Sequence, residues 1–156
     1  MHHLGAWNLR DRLDWDAQLG EAWCAHGAED QRATVVLLPA PLQQASTMRQ
    51  LSHPSLQGLL GAGVAPVWHA LFEHIDGPLL RDCERPLPQE AALRHFAALA
   101  DALVALHGGG LAHGWISLAT IALSADGPCL LGAGLHGGEQ ADDIAALAGV
   151  MAELLP

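Results

Sequence analysis

The stretch LAHGWISLATIALSADGPCLLGAGL, residues 111–135, decides how the rest of the chain is read. Two apolar runs, TIALS (Thr120–Ser124) and PCLLGAG (Pro128–Gly134), are joined by Ala125-Asp126-Gly127. Such a short glycine-containing connection predicts a hairpin. A loop carrying His113, Trp115 and Ser117 precedes it, and a turn built on Gly132-Ala133-Gly134 follows it. The polar residues here form no hydrolytic set. Ser117 and Ser124 lack the His/Asp context of a triad. The run HGGGLAHG resembles an oxyanion-hole glycine run, but no GxSxG nucleophile elbow exists. His113 has apolar neighbours and reads as a packed core histidine rather than a general base. Cys129, in an apolar strand, reads as an inert buried thiol. The GAG triplets at 61–63 and 132–134 do not extend to GxGxxG.

Upstream, Leu93, Phe96, Leu99, Leu103 and Leu106 recur at three- and four-residue steps, which predicts a helix over Pro88–His107 with one apolar stripe. Gly108-Gly109-Gly110 stops it. Downstream, a last helix starts near Asp142/Asp143 and carries Ile144, Leu147, Val150, Met151 and Leu154 on one stripe. The N-terminal third reads as short strands: EAWCA, ATVVLLPA, LQGLLGAG and PVWHALFEHID. One helix interrupts them, PLQQASTMRQLSHP, opened by Pro41 and stopped before Pro54. There is no internal repeat.

The chain has 156 residues, which suits one domain or two small lobes sharing a core. With 51% hydrophobic and 15% charged residues, it can form a packed interior. Seven basic residues face seventeen acidic ones, a formal charge of −10, which argues against nucleic acid and anionic membrane as partners. All seven are arginines, so lysine-dependent phosphate binding and Schiff-base chemistry are excluded. Cys24, Cys83 and Cys129 are widely spaced without a CxxC, which fits a reducing, cytoplasmic setting. No apolar run predicts a membrane span, and MHHLGAW lacks a signal-peptide pattern. The ten histidines show no metal-ligand spacing, so neither a metal nor a cofactor is expected.

The order of these strings resembles the eukaryotic-type Ser/Thr protein kinase fold in its bacterial form. LGEAWCA (Leu19–Ala25) is similar to the end of the glycine-rich loop, and VVLLPA to the strand that bears the nucleotide lysine. LSHPSLQGLLGAG (Leu51–Gly63) is similar to the segment after the first helix, and LFEHIDGPLLRD (Leu71–Asp82) to the hinge. Residues 98–124 look like the long helix running into the catalytic loop, LLGAGL like the metal-binding turn, and DDIAALAGVMAELL like the core helix. The resemblance implies an α+β, two-lobed kinase-like fold over 1–156. Its β-rich N-lobe with one helix would span 7–75, and a truncated helical C-lobe ending at the core helix would span 76–156.

Phosphoryl transfer in this fold requires a phosphate-covering loop, a Lys–Glu pair, a catalytic Asp, and Asn plus Asp on the metal. The resemblance places the loop's first two glycines on Trp15 and Ala17, leaving Gly20. It places the lysine on Val36, its glutamate partner on Gln44, and the catalytic aspartate on Trp115. The metal-binding asparagine falls on Thr120 and the metal-binding aspartate on Gly132. Phe72 falls at the hinge gatekeeper. The structural residues are kept: Met48 and His113 at spine positions, Asp143 where an aspartate caps the catalytic loop, and Gly134 in the turn.

Only eight residues separate Gly134 from Asp143, where an active kinase carries its activation segment. The resemblance therefore implies a catalytically inactive pseudokinase, not an enzyme, with ATP and Mg²⁺ binding not expected. It would serve as a scaffold or regulatory protein-binding module, as a homodimer or with another protein. The candidate contact residues are Trp115, with Trp115 packed into the vacated site, and Ile144, Leu147, Val150, Met151 and Leu154 on an uncovered face of the last helix. The alternative is a weak nucleotide-binding sensor or atypical phosphotransferase.

Overall fold

Where β-branched and apolar residues run together, as at 33–36 of the strand Arg32–Leu37, the chain is buried on both faces. The computed structural model describes residues 3–64 and 66–156. The start of MHHLGAW, Met1 and His2, lies outside the described residues. Two units form, one from Met1–Gln50 with Gly58–His74, the other from Leu51–Gln57 with Ile75–Pro156.

The first unit is a six-stranded antiparallel sheet. Its strands are β1 (His3–Leu4), β2 (Trp7–Arg12), β3 (Glu21–His26), β4 (Arg32–Leu37), β5 (Leu59–Gly63) and β6 (His69–Glu73), in the order β1-β2-β3-β4-β6-β5. β4 lies centrally, with Val35 opposite Trp23 on one side and Leu71 on the other. Leu4, Leu9, Ala25 and Val35 form a core against which Trp7, Trp23, Leu37 and Leu71 pack. Each fully buried leucine or valine here contributes about 1.5–3 kcal/mol.

Helix α1 spans only Ala45–Gln50, starting four residues after the predicted Pro41 opening. Met48 is its one buried residue, so it has no apolar stripe to sustain a longer helix.

The second unit contains α2 (Gln89–Gly108), the hairpin β7 (Ile121–Ser124) and β8 (Gly127–Leu130), and α3 (Gln140–Leu154). Leu56 bridges Leu130 in parallel, so the Leu51–Gln57 segment lies along β8. The α2 and α3 helices run antiparallel. Near the end of α2, His107 Nε2 meets Asp143 Oδ2 at 2.9 Å, and just before its start Leu87 N–H donates to the Leu154 carbonyl.

The buried positions of α2 are Ala92, Leu99, Ala102, Leu103 and Leu106. The seven-residue spacing of Ala92, Leu99 and Leu106 turns the stripe away from the predicted Leu93, which is 48% exposed, while Phe96 is half-buried.

The uncovered face predicted for α3 is corrected in the same way. Leu147, Val150 and Leu154 are buried, Met151 is half-buried, and only Ile144, at 61%, is exposed. The stripe faces inward because Asp143, on the same side of the helix, is drawn into the interior by its hydrogen bonds. Among the described residues, no helix is long and apolar enough to cross a membrane.

Leu147→Ala should therefore destabilise the protein by about 2–5 kcal/mol, the usual cost of a core truncation. Ile144→Ala should change stability by less than about 0.5 kcal/mol. Urea unfolding followed by circular dichroism measures both.

Candidate functional site

The loop 111–117 is shaped by one side chain. Asp143 is 1% exposed; its Oδ2 accepts the His113 N–H at 2.7 Å and its Oδ1 the Gly114 N–H at 2.9 Å. Its third partner, His107, was not apparent from the sequence, because the two residues are 36 positions apart. His113, fully buried, supports the other side of the loop. Its Nε2 lies 2.7 Å from the Leu131 carbonyl and its Nδ1 3.2 Å from the Trp115 N–H. A carbonyl only accepts and an amide only donates, so the ring is the neutral Nε2–H tautomer.

The three C-terminal positions matched to catalytic acids and amide are brought near this loop but hold other chemistry. Trp115 is 39% exposed, its ring 5.5 Å from that of His136 and tilted against it. It lies at the surface against an exposed histidine rather than packed into a vacated interior, because Gly114 turns the chain there with φ +87°. Thr120 is fully buried, and its hydroxyl is engaged in a capping box: Oγ1 accepts Ser117 N–H at 2.9 Å and donates to Ser117 O at 3.2 Å. The Ser-x-x-Thr spacing is a sequence signal for this cap. Gly132 adopts φ +65°, and its N–H donates to Gln57 Oε1 at 3.1 Å, a contact across 75 positions with no local signature.

Downstream, Gly134 keeps its turn at φ +91°. The connection to α3 then comes back onto the loop. A Cβ on Gly114 would lie 1.9 Å from the Gly137 carbonyl oxygen, so no side chain fits at 114.

In the first unit, Val36 is fully buried in β4, and Gln44 sits exposed in the turn before α1. Phe72 is fully buried in β6 and Met48 is buried in α1. The segment between β2 and β3, matched to the phosphate-covering loop, folds into a 3-10 turn at Ala17–Leu19. Asp16 caps it by accepting Gln18 N–H at 3.0 Å. Leu19 N–H donates to the Asp16 carbonyl and Gly20 N–H to that of Ala17. The amides that could face a phosphate are thus directed inward. Beside this turn lies an open pocket of about 580 Å³ lined by Arg12, Leu13, Asp14, Trp15, Gly20 and Glu21. Among the described residues, no three His, Cys, Asp or Glu side chains converge as metal ligands would.

Asp143→Ala should cost about 3–5 kcal/mol in urea unfolding, since it leaves buried loop amides without acceptors. Burial holds the His113 imidazole below its ordinary 6.5, outweighing the raising effects of the Leu131 carbonyl and Asp143. The unfolded chain then binds more protons than the folded one below about pH 6.5, so stability falls on acidification through that range. Protonating Nδ1 would also set two donors, Nδ1–H and Trp115 N–H, against each other. His95, partly buried and beside Arg94, is lowered too and acts in the same direction. Between pH 7.5 and 5.5 the unfolding midpoint should drop more in the natural chain than in His113→Gln.

No family model matches this sequence, and no curated protein matches it. Solved structures do match. One is the kinase domain of PknI from M. tuberculosis, superimposed over 96% of this chain and 72% of that one, with a TM-score of 0.78 and 18% sequence identity. The sheet-rich unit with its short helix and the helical unit with its hairpin thus make up a protein-kinase-like fold of α+β class.

Proposed function

We propose that this chain is a catalytically inactive pseudokinase that works by binding another protein, as a scaffold or regulator. The observation that carries this reading is the pairing of an intact loop frame with positions that hold no carboxylate. Asp143 and His113 shape the loop, while Trp115, Thr120 and Gly132 supply neither a proton acceptor nor metal ligands. Phosphoryl transfer depends almost entirely on positioning and electrostatic stabilisation. Losing a single stabilising donor typically costs about 10²–10³ in rate, and here every matched charged group is replaced.

Three further features support it. The sequence contains no lysine, so none can stand in at Val36. The 3-10 turn at Ala17–Leu19 uses its own amides internally. The connection from Gly134 to α3 is short and rests against Gly114, leaving a small fixed segment in place of an extended activation loop. A net charge of −10 adds to the barrier against binding ATP phosphates and favours a protein partner over nucleic acid.

Two measurements test the reading. With radiolabelled ATP, Mg²⁺ or Mn²⁺ and a generic protein substrate, transfer should stay at background. The double variant Trp115→Asp/Gly132→Asp should stay there too, because it restores two carboxylates without the lysine or the metal-binding amide. ATP, ADP and GTP at millimolar concentration should shift the melting temperature by less than about 1 °C. A magnesium-dependent rise with one nucleotide would instead establish a nucleotide sensor.

A further inference from the structure

The surface around Trp115 has a chemistry of its own. Trp115 stands 39% exposed at the apex of its loop, in ring contact with the exposed His136. The close approach of Gly114 to Gly137 holds the two loops that carry them side by side. Three residues beyond His136, Glu139 precedes α3, and Asp142 lies in its first turn; both are exposed. A large aromatic side chain fixed on a rigid loop is the kind of group that dominates protein interfaces.

The charge around it selects the partner. No arginine or lysine follows Arg94: residues 95–156 carry Asp101, Asp126, Glu139, Asp142, Asp143 and Glu153. In the second unit, Arg81 is paired with Asp82 and Arg94 with Glu90. Arg85 lies two residues before Leu87, whose amide bonds Leu154 at the C-terminal end of α3. With α2 and α3 antiparallel, Arg85 and Arg94 lie towards that end, while Trp115, His136, Glu139 and Asp142 gather at the other. The separation along α3, 15 residues long, is about 20 Å, roughly two Debye lengths at physiological salt. At the Trp115 end of α3, the exposed carboxylates of Glu139 and Asp142 give the surface a local negative charge.

We propose that the Trp115–His136 pair is the docking point for an arginine-bearing segment of the partner protein. Resting on the reading of this site as a non-catalytic binding surface, it assigns the partner's chemistry. The guanidinium stacks on the indole face through cation–π attraction, and Glu139 and Asp142 supply the surrounding negative potential.

The test uses a fluorescein-labelled octapeptide of alternating arginine and glycine, with an alternating glutamate–glycine peptide as control, followed by anisotropy at pH 7.5 and physiological salt. The arginine peptide should bind and the glutamate peptide should not. Trp115→Ala should weaken binding about tenfold, whereas Trp115→Phe, which keeps a ring, should weaken it by no more than about threefold. Glu139→Gln should weaken it about threefold and Glu153→Gln, at the far end of α3, not measurably.

The proposal is overturned if the arginine peptide fails to bind. It is equally overturned if folded Trp115→Ala binds as well as the natural chain, or if Glu153→Gln loses as much as Glu139→Gln, the signature of diffuse charge attraction. Phosphotransfer is measured separately, so an active enzyme would refute the pseudokinase reading whatever the peptide does, and a silent peptide would leave that reading standing.

Discussion

Everything in the second unit turns on the hydrogen bonds of Asp143. A carboxyl group with 1% exposure must find partners, because burying it unpaired would cost several kcal/mol. Its partners are the backbone of the 111–117 loop and the side chain of His107, at the opposite end of α2 from its start. One residue thus ties the end of α2, the start of α3 and the loop between α2 and the hairpin. The orientation of α3 follows from it: with Asp143 inward, Leu147, Val150 and Leu154 fall on the same face and complete the core. His113 joins the same loop to Leu131 after the hairpin. The shape of the loop is therefore set by two buried side chains, Asp143 and His113.

The same economy holds at the other positions matched to a kinase's catalytic groups. Thr120 satisfies Ser117, Gly132 satisfies Gln57, and the amides at Gln18, Leu19 and Gly20 are satisfied by Asp16 and Ala17. The polar groups at Thr120 and at 18–20 finish local turns, while Gly132 bonds a side chain 75 positions away. A polar group so engaged must lose a hydrogen bond before it can serve a ligand. Trp115 differs from the others in being neither buried nor enclosed in a cap: it is 39% exposed, in ring contact with His136.

Much of the fold was legible in the residues because it is local. The hairpin around Ala125-Asp126-Gly127, the strands at Glu21–His26 and Arg32–Leu37, and both long helices follow from turn chemistry and apolar periodicity. The order of these elements pointed to a kinase-like fold, which the superposition on a solved kinase domain shows. The helix opened at Pro41 was read too long because Pro suits a first helical turn and Gln and Ala favour helix locally. Only packing, which there amounts to Met48 alone, decides how far a helix extends.

What the sequence by itself determined is the chemical inventory: no lysine, no carboxylate at 115, 120 or 132, and no arginine after Arg94. Those are facts of composition and position, and no folding can change them. What only the tertiary structure decided is which faces meet. Leu93 is left outside while Ala92 is buried, and Leu147 is enclosed while Ile144 is exposed. His107 reaches Asp143 across 36 positions, and Gly137 comes to rest on Gly114. A helical stripe is wide enough to rotate by one residue at little local cost, so its direction is fixed by partners distant in the chain, whose closeness no local pattern encodes.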